Sequence, residues 1–330
     1  MNMRVEPFLP TINFYPNRNP KLRFFALWYF TVLITVWTIV GHAVLGFEQS
    51  YATPLAAVAA ACVAQFLLEW VDARASGRRP RYAGDWRNAV NMLPTAIIPG
   101  LACAMLLYPS QRLWPVVFAS VLSIASKVLF RAPAGRNPAG KTISQHIFNP
   151  SNFGITVTLL AIPSVGLAPP YMFTENITGL WNWIIPGVIL VAGAIVHARF
   201  TGRFPLVIAW VTGFVLQGMI RAAVFGIPFL VPLVPMTSAA FMLFTLFMIP
   251  DPATTPIEPK RQMAFGFAVA LIYGVLFVNH IVFGMFIALA ATSLTRGVAL
   301  YAGAAVRNWR GIAGEREFAP AAATAAAGGD

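Results

Sequence analysis

Continuous apolar blocks alternate with short polar breaks along almost the whole chain. Ten blocks are legible, at about 24–45, 54–71, 92–108, 113–130, 150–163, 180–198, 204–224, 233–249, 263–278 and 281–302. Most approach the roughly 20 residues that carry a helix across a hydrocarbon layer about 30 Å thick. Within a block the apolar residues run on rather than alternate, which excludes a transmembrane β-barrel. The pattern therefore predicts an all-α, polytopic membrane protein with ten transmembrane helices. The fifth block is short. About 13 apolar residues follow Pro150, roughly 20 Å of helix at 1.5 Å per residue, so this helix is expected to begin inside the membrane. Three regions follow: a proline-rich interfacial arm at 1–20, a membrane domain at 21–304 and a low-complexity tail at 305–330. The Ala/Gly stretch 321–330 is expected to lack regular structure.

Composition agrees with this reading. The 330 residues are 58% hydrophobic and 10% charged, whereas soluble domains carry about 25% charged residues. A soluble enzyme and a disordered chain are excluded. The net charge of +12 does not point to nucleic acid, because basic residues of membrane proteins collect in cytoplasmic loops. With the N-terminus in the cytoplasm and ten spans, all basic residues except Arg112 and Arg221 fall on the cytoplasmic side. The expected location is the bacterial inner (cytoplasmic) membrane, multi-pass, with N- and C-termini cytoplasmic. No cleavable signal peptide is read: the first apolar block follows Lys21 and Arg23 with no small-residue cleavage site after it. Cys62 and Cys103 lie in apolar blocks and form no metal or redox motif.

Two polar, proline-containing stretches are placed on the inner face. The first is His146-Ile147-Phe148-Asn149-Pro150-Ser151-Asn152-Phe153-Gly154. Asn149 suits a helix N-cap and Pro150 the first helical position. A helix N-terminus at membrane depth offers free N–H groups to an anion or a carbonyl. The second runs from Pro250 to Arg261 and holds Asp251, Thr254, Thr255, Lys260 and four prolines. A carboxylate at the end of an apolar block needs a partner. A faint echo links Asn149, Phe153 and Gly154 to Asn279, Phe283 and Gly284. Five helices per half would make the halves inverted, as in many transporters.

Three blocks carry a family resemblance. Ser126-Lys127-Val128-Leu129-Phe130 with Ile147 to Gly154 is one. Phe247-Met248-Ile249-Pro250-Asp251-Pro252-Ala253-Thr254-Thr255-Pro256, followed by Lys260-Arg261 and Phe265-Gly266, is the second. The last apolar block, with Gly284 and Ala288 to Ala291, is the third. Together they resemble the membrane-subunit family that includes RnfD and NqrB, from bacterial ion-translocating ferredoxin- and NADH-dependent oxidoreductases. A looser likeness is to the RnfD-like, UnbU-type proteins associated with enediyne biosynthesis. The resemblance covers roughly residues 20 to 303 and implies a membrane electron-transport subunit that binds flavin. The family attaches FMN to a Thr in a Ser-Gly-Ala-Thr-type motif. The corresponding stretch here, Pro163 to Gly179, holds Thr174 and Thr178 but no such motif, so the flavin implied, FMN or riboflavin, is non-covalent.

Such a ring needs flat apolar walls, for which Phe148, Phe153 and Phe247 are candidates. It also needs donors such as Asn149 and Asn152, and cations for a phosphate, here Lys141, Lys260 and Arg261, while Lys127, in the family-like block, is a further site candidate. The binding set is completed by Asp251, Thr254 and Thr255. No catalytic residue and no metal-ligand set is assigned. His42 with His280, or His146 with His197, share a depth that a bis-His haem would need, though a histidine at a membrane edge is usually an interfacial polar group. Glu69 and Asp72 are expected to pair with Arg74 or Arg203, and Lys127 and Arg221 to snorkel. The chain has no strand–Gly-rich loop–helix NAD fingerprint, so a partner redox or biosynthetic protein is implied. The competing readings are a small-solute permease or channel and a membrane scaffold for a biosynthetic enzyme.

Overall fold

The computed structural model describes residues 20–110, 112–136, 142–168 and 176–326. Helices occupy all ten apolar blocks. In chain order they are α1 (Pro20–Val40), extended by a π-helical turn at Gly41–Leu45; α2 (Ala52–Ala75); α3 (Trp86–Met92) with α4 (Pro94–Leu106); α5 (Trp114–Leu129); and α6 (Pro150–Ala161). Then come α7 (Trp181–Val196), with a second π turn at His197–Thr201, and α8 (Phe204–Phe225). A 3-10 turn at Val231–Thr237 leads into α9 (Ala239–Leu243) and a third π turn, Phe244–Met248. Last are α10 (Pro259–Val278) and α11 (Gly284–Ala326).

Seven of these segments are long and apolar enough to cross a membrane, or eight if the segment bent by 72° between Val231–Thr237 and Ala239–Met248 counts as one. Ten full crossings is therefore more than the helices themselves provide. The shortfall lies in α5, with 16 residues, and α6, with 12. The hairpin between them ends α5 at Leu129 and delays the start of α6 to Pro150.

This connection is not helical. Strands β2 (Arg131–Arg136) and β3 (Thr142–His146) form an antiparallel hairpin that pairs Arg131 with His146, with an irregularity between Pro133 and Gly135. A two-residue pairing joins β1 (Leu107–Tyr108) to β4 (Gly166–Leu167) at the other end of the bundle. The short strand-like alternation Thr142-Ile143-Ser144-Gln145-His146 is overshadowed in the sequence by the apolar blocks around it. The tail also differs from expectation: α11 continues to Ala326, through the boundary drawn at 304/305 and into 321–330. Alanine has the strongest intrinsic helix preference. The arm at 1–20 lies outside the described residues except for Pro20.

Helix starts follow from local chemistry. Pro94, Pro115, Pro150, Pro205 and Pro259 occupy first-turn positions, where a missing N–H costs nothing. Asn149 caps α6 through its side chain, which accepts from the Asn152 N–H at 3.1 Å, as expected. Its echo does not share the role. Asn279 closes α10 and donates back to the Val275 carbonyl, and α11 begins only at Gly284.

One other pair of features matches more closely. The π turns after α1 and α7 both end at a left-handed glycine, Gly46 and Gly202. The third segment runs from Trp86 to Leu106 with only a brief interruption at Leu93, whereas the eighth is bent by 72° at Ser238, between Val231–Thr237 and Ala239–Met248.

The main core joins α8, α9, α10 and α11 through Trp210, Phe214, Phe241, Phe244, Tyr273 and Phe286. Helices α5 and α6 meet at Gly154, where an added Cβ would lie 2.2 Å from the Ala119 carbonyl oxygen and from Ser123 Oγ. Only glycine permits that approach. The hairpin, the Pro250–Arg261 loop and the π turn of α7 gather at one end, termed here the polar end.

Candidate ligand cavity

The fold leaves a cavity of about 1000 Å³ that opens at the polar end. Helix α4 supplies its back wall with Thr95, Pro99, Ala102 and Leu106, a span of about 16 Å at 1.5 Å per residue. The mouth is polar, with Arg78, Arg81, Arg131, Ser144 and Asp72. The depth is apolar, with Ile34, Trp37, Met105 and Leu246. A flat wall is made by Phe247, whose ring stacks on Phe30 at 4.9 Å and 4°.

Of the residues singled out in the sequence, Lys127, Asn149 and Asp251 line this cavity, as does Phe247. Lys127 Nζ donates to Gln65 Oε1 at 2.6 Å and to the Thr95 carbonyl at 2.9 Å. Both acceptors are neutral, so its charge is not cancelled by a bonded carboxylate and it points into the bundle instead of snorkelling. Asp251 opens the Pro-rich loop and accepts from the Ala253 N–H and from Thr254 Oγ1. Asn149 is fully engaged: Oδ1 accepts from Ser151 and Asn152, and Nδ2 donates to the Met248 carbonyl at 2.9 Å. It shapes the cavity and has little left to offer a ligand.

The other candidates lie elsewhere. Phe148 and Phe153 pack on each other and on Phe130, at 4.9–5.5 Å, beneath the hairpin and not on the cavity wall. Asn152 is buried and donates to the Phe286 carbonyl, tying α6 to α11. Thr254 and Thr255 are buried in the loop. The Thr254 carbonyl accepts from Arg296, while Thr255 Oγ1 donates to the Asp251 carbonyl and accepts from Arg203 Nε. Lys260 is exposed at the start of α10, away from the cavity, and Arg261 pairs with Glu258. Lys141 lies outside the described residues, as does Thr174.

The acidic pair on α2 is corrected as well. Glu69, with a side chain 1% exposed, bonds Arg78 and Arg81, and Asp72 pairs with Arg78. Arg74 instead lies over the Trp70 ring, and Arg203 reaches Thr255 and the Pro252 carbonyl. The loop after α2 turns back at Gly77, which carries Arg78 and Arg81 over Glu69. The carboxylates hold the Arg78 guanidinium protonated far above its usual range, chiefly through the Glu69 hydrogen bond.

The haem arrangement fails for His146 and His197. His197 faces Thr201 Oγ1 at Nδ1 and the Leu246 carbonyl at Nε2, each at 2.8 Å. A carbonyl only accepts, so Nε2 carries the proton and no nitrogen is left for iron. His146, on β3, lines the cavity. Burial pushes its pKa below the usual imidazole range, Lys127 and Arg131 push the same way, and Asp251 partly opposes them.

Two groups that sequence reasoning passed over are Gln65 and Trp37. Gln65 is the one amide within α2, and an intramembrane polar residue is a signal in itself. Trp37 resembles any other apolar position until its Nε1 is seen to be buried without an acceptor on the cavity wall. Among the described residues no group of three His, Cys, Asp or Glu side chains is placed to hold a metal. Compared with protein-family models and with curated proteins, the chain matches none.

Proposed function

We propose that this chain is a membrane-embedded electron-transfer subunit that holds a flavin non-covalently in the cavity and exchanges electrons with a partner redox protein. One observation carries the reading. A single cavity combines a flat aromatic wall, Phe30 on Phe247, with a cation bonded only to neutral groups, Lys127, and a basic mouth. Its volume matches that of cofactor sites, about 300–1,000 Å³.

The residues present fit the group. The Gln65 amide nitrogen can donate to a ring carbonyl, and Asp251 can accept from a ring N–H. Lys127 and Arg131 suit a phosphate, which favours FMN over riboflavin. Trp37 Nε1 supplies a further donor. When bound, the flavin supplies one- and two-electron chemistry. The protein orients the ring, excludes water from its apolar edge and balances its charge.

In this proposal the chain crosses the bacterial inner membrane ten times, α5 and α6 being completed by the loops beside them. Both termini lie in the cytoplasm, on the side of the basic loops. The matched π turns, each ending at a left-handed glycine, support two inverted halves.

The test is direct. Protein extracted in mild detergent should be yellow, and denaturation should release FMN or riboflavin. A colourless protein that releases neither overturns the reading. A second reading, a small-solute permease, draws on the same matched halves and on a cavity that opens at one end. It requires solute uptake into liposomes containing this chain alone.

A further inference from the structure

The basic residues between α2 and α4 divide into two groups. Arg78 and Arg81 are taken up by Glu69 and Asp72. Arg74, Arg79 and Arg87 are exposed, and no Asp or Glu among the described residues pairs with any of them. Asp85, in the same stretch, is used as the cap of α3, where it accepts from the Arg87 N–H at 3.0 Å. Three uncompensated guanidiniums therefore stand on one short reversal of the chain. Arg221 shows the contrast: it is 7% exposed and turns inward over the Phe277 ring.

Tryptophans set the depth of this group. Arg74 lies over the Trp70 ring at 5.4 Å, and Arg87 over the Trp86 ring at 6.0 Å. Tryptophan at the end of a span sits at headgroup level. Helix α2 has 24 residues and is about 36 Å long, more than the roughly 30 Å of hydrocarbon. Its last turn, which holds Arg74, emerges among the headgroups. The chain then reverses, and Trp86 and Arg87 open the next span at the same surface. Beneath Arg74 runs an apolar stripe on the outside of the bundle. Val63, Leu67, Trp70 and Val71 share its face of α2 through their three- and four-residue spacing. All are exposed, Val63 by 67% and Leu67 by 55%.

We propose that this surface holds an anionic phospholipid. The phosphate lies at Arg74, an acyl chain follows the stripe down α2, and Arg79 and Arg87 supply the field that selects a net negative headgroup. Basic loops on one face are expected from topology alone. Topology does not require one of these arginines to stand directly above a lipid-facing stripe, with its counter-ions already used elsewhere. A zwitterionic lipid carries its own ammonium group and would leave the three cations uncompensated. An acidic protein would meet them from the water side and leave the stripe unused. The surface is on the outside of the bundle and does not rest on the flavin reading.

The test is native mass spectrometry of the full chain released from vesicles of equal phosphatidylglycerol and phosphatidylcholine. A cation at an anionic headgroup is worth about fivefold in affinity. The unaltered chain should therefore retain phosphatidylglycerol at least tenfold over phosphatidylcholine. Arg74→Gln should lower that preference about fivefold, and combining it with Arg79→Gln and Arg87→Gln should abolish it. Arg199→Gln, at an exposed cation on the π turn of α7, should leave it unchanged. Equal retention of the two lipids by the unaltered chain overturns the proposal, whatever the variants do. An equal loss with Arg199→Gln also overturns it, by assigning the preference to the diffuse charge of the whole face. So does displacement of the lipid by glycerol phosphate, which has the headgroup without the chains, or by polyglutamate, which stands for an acidic protein.

Discussion

Asn149 performs two separable jobs, and substitutions can distinguish them. Its Oδ1 caps α6 at the Asn152 N–H, 3.1 Å away, and its Nδ2 tethers the Met248 carbonyl at 2.9 Å, 99 residues further along the chain. Replacing an Asn N-cap with Ala costs about 1 kcal/mol. Leaving a buried carbonyl without its donor costs about 1–3 kcal/mol more. Asn149→Ala should therefore destabilise the protein by about 2–4 kcal/mol. Asn149→Ser retains a capping oxygen but cannot reach Met248, so it should recover the first term only. The assay is thermal unfolding in detergent, followed by intrinsic fluorescence, for the two variants and the parent. The expected order is parent, Ser, Ala, with a gap of several degrees between parent and Ser. If Ser equals the parent, the bond to Met248 contributes nothing. If Ser equals Ala, the cap contributes nothing. Either result refutes the division of labour.

Other consequences follow from the same geometry. Gly154→Ala should destabilise by at least about 1–3 kcal/mol through overpacking, because the Ala119 carbonyl oxygen 2.2 Å away is backbone and cannot yield. Unchanged unfolding would mean that α5 and α6 separate easily. The folded state holds His146 below its usual pKa, so its neutral form is favoured. Its stabilisation is present above about pH 6.5, the unfolded value, and is lost as pH falls below it. His146→Asn should flatten that decline in melting temperature between about pH 7 and pH 5, and an unaltered slope would assign the decline to other groups. On the flavin proposal, Lys127→Met should lower the FMN retained on purification at least tenfold while leaving the protein folded. Asp251→Ala should do the same, and full retention in either variant would remove that residue from the site.

The helices were legible because their signal is redundant. Some twenty apolar residues identify each long segment, and no single residue decides it. The cap at Asn149 was legible because capping is local. The hairpin between α5 and α6 was missed because five residues of alternation are a weak signal between two apolar blocks. Glu69 and Asp72 pair with Arg78 and Arg81 and not with the expected Arg74 or Arg203. Pairing depends on how the chain reverses at Gly77, which brings Arg78 and Arg81 back over α2. Phe148 and Phe153 were placed in the site by the motif that contains them. Phe153 on the first turn of α6 and Phe148 just before its cap both turn their rings toward Phe130, and neither lines the cavity. Side-chain direction over one helical turn was beyond the reach of a motif.

The π turn at Phe244–Met248 explains where much of the polarity in this apolar chain goes. Its sequence, Phe-Thr-Leu-Phe-Met, singles out Phe247 but carries no mark of the π turn. A π turn shifts the backbone ladder by one residue, and such turns concentrate at functional sites. Here two side chains from other helices bond its carbonyls, His197 to Leu246 and Asn149 to Met248. Between those two anchors sits Phe247, which forms the flat wall with Phe30. In a membrane interior every backbone polar group must be satisfied from within the protein. His197 and Asn149 are thereby committed to the backbone, as Asn152 is at the Phe286 carbonyl. Subtracting these structural uses changes the list of functional candidates. Lys127, the Gln65 amide nitrogen, Trp37 Nε1 and the Asp251 carboxylate face the cavity with bonding capacity to spare, beside the His146 ring. That set combines a cation, two donors and an acceptor around one aromatic wall.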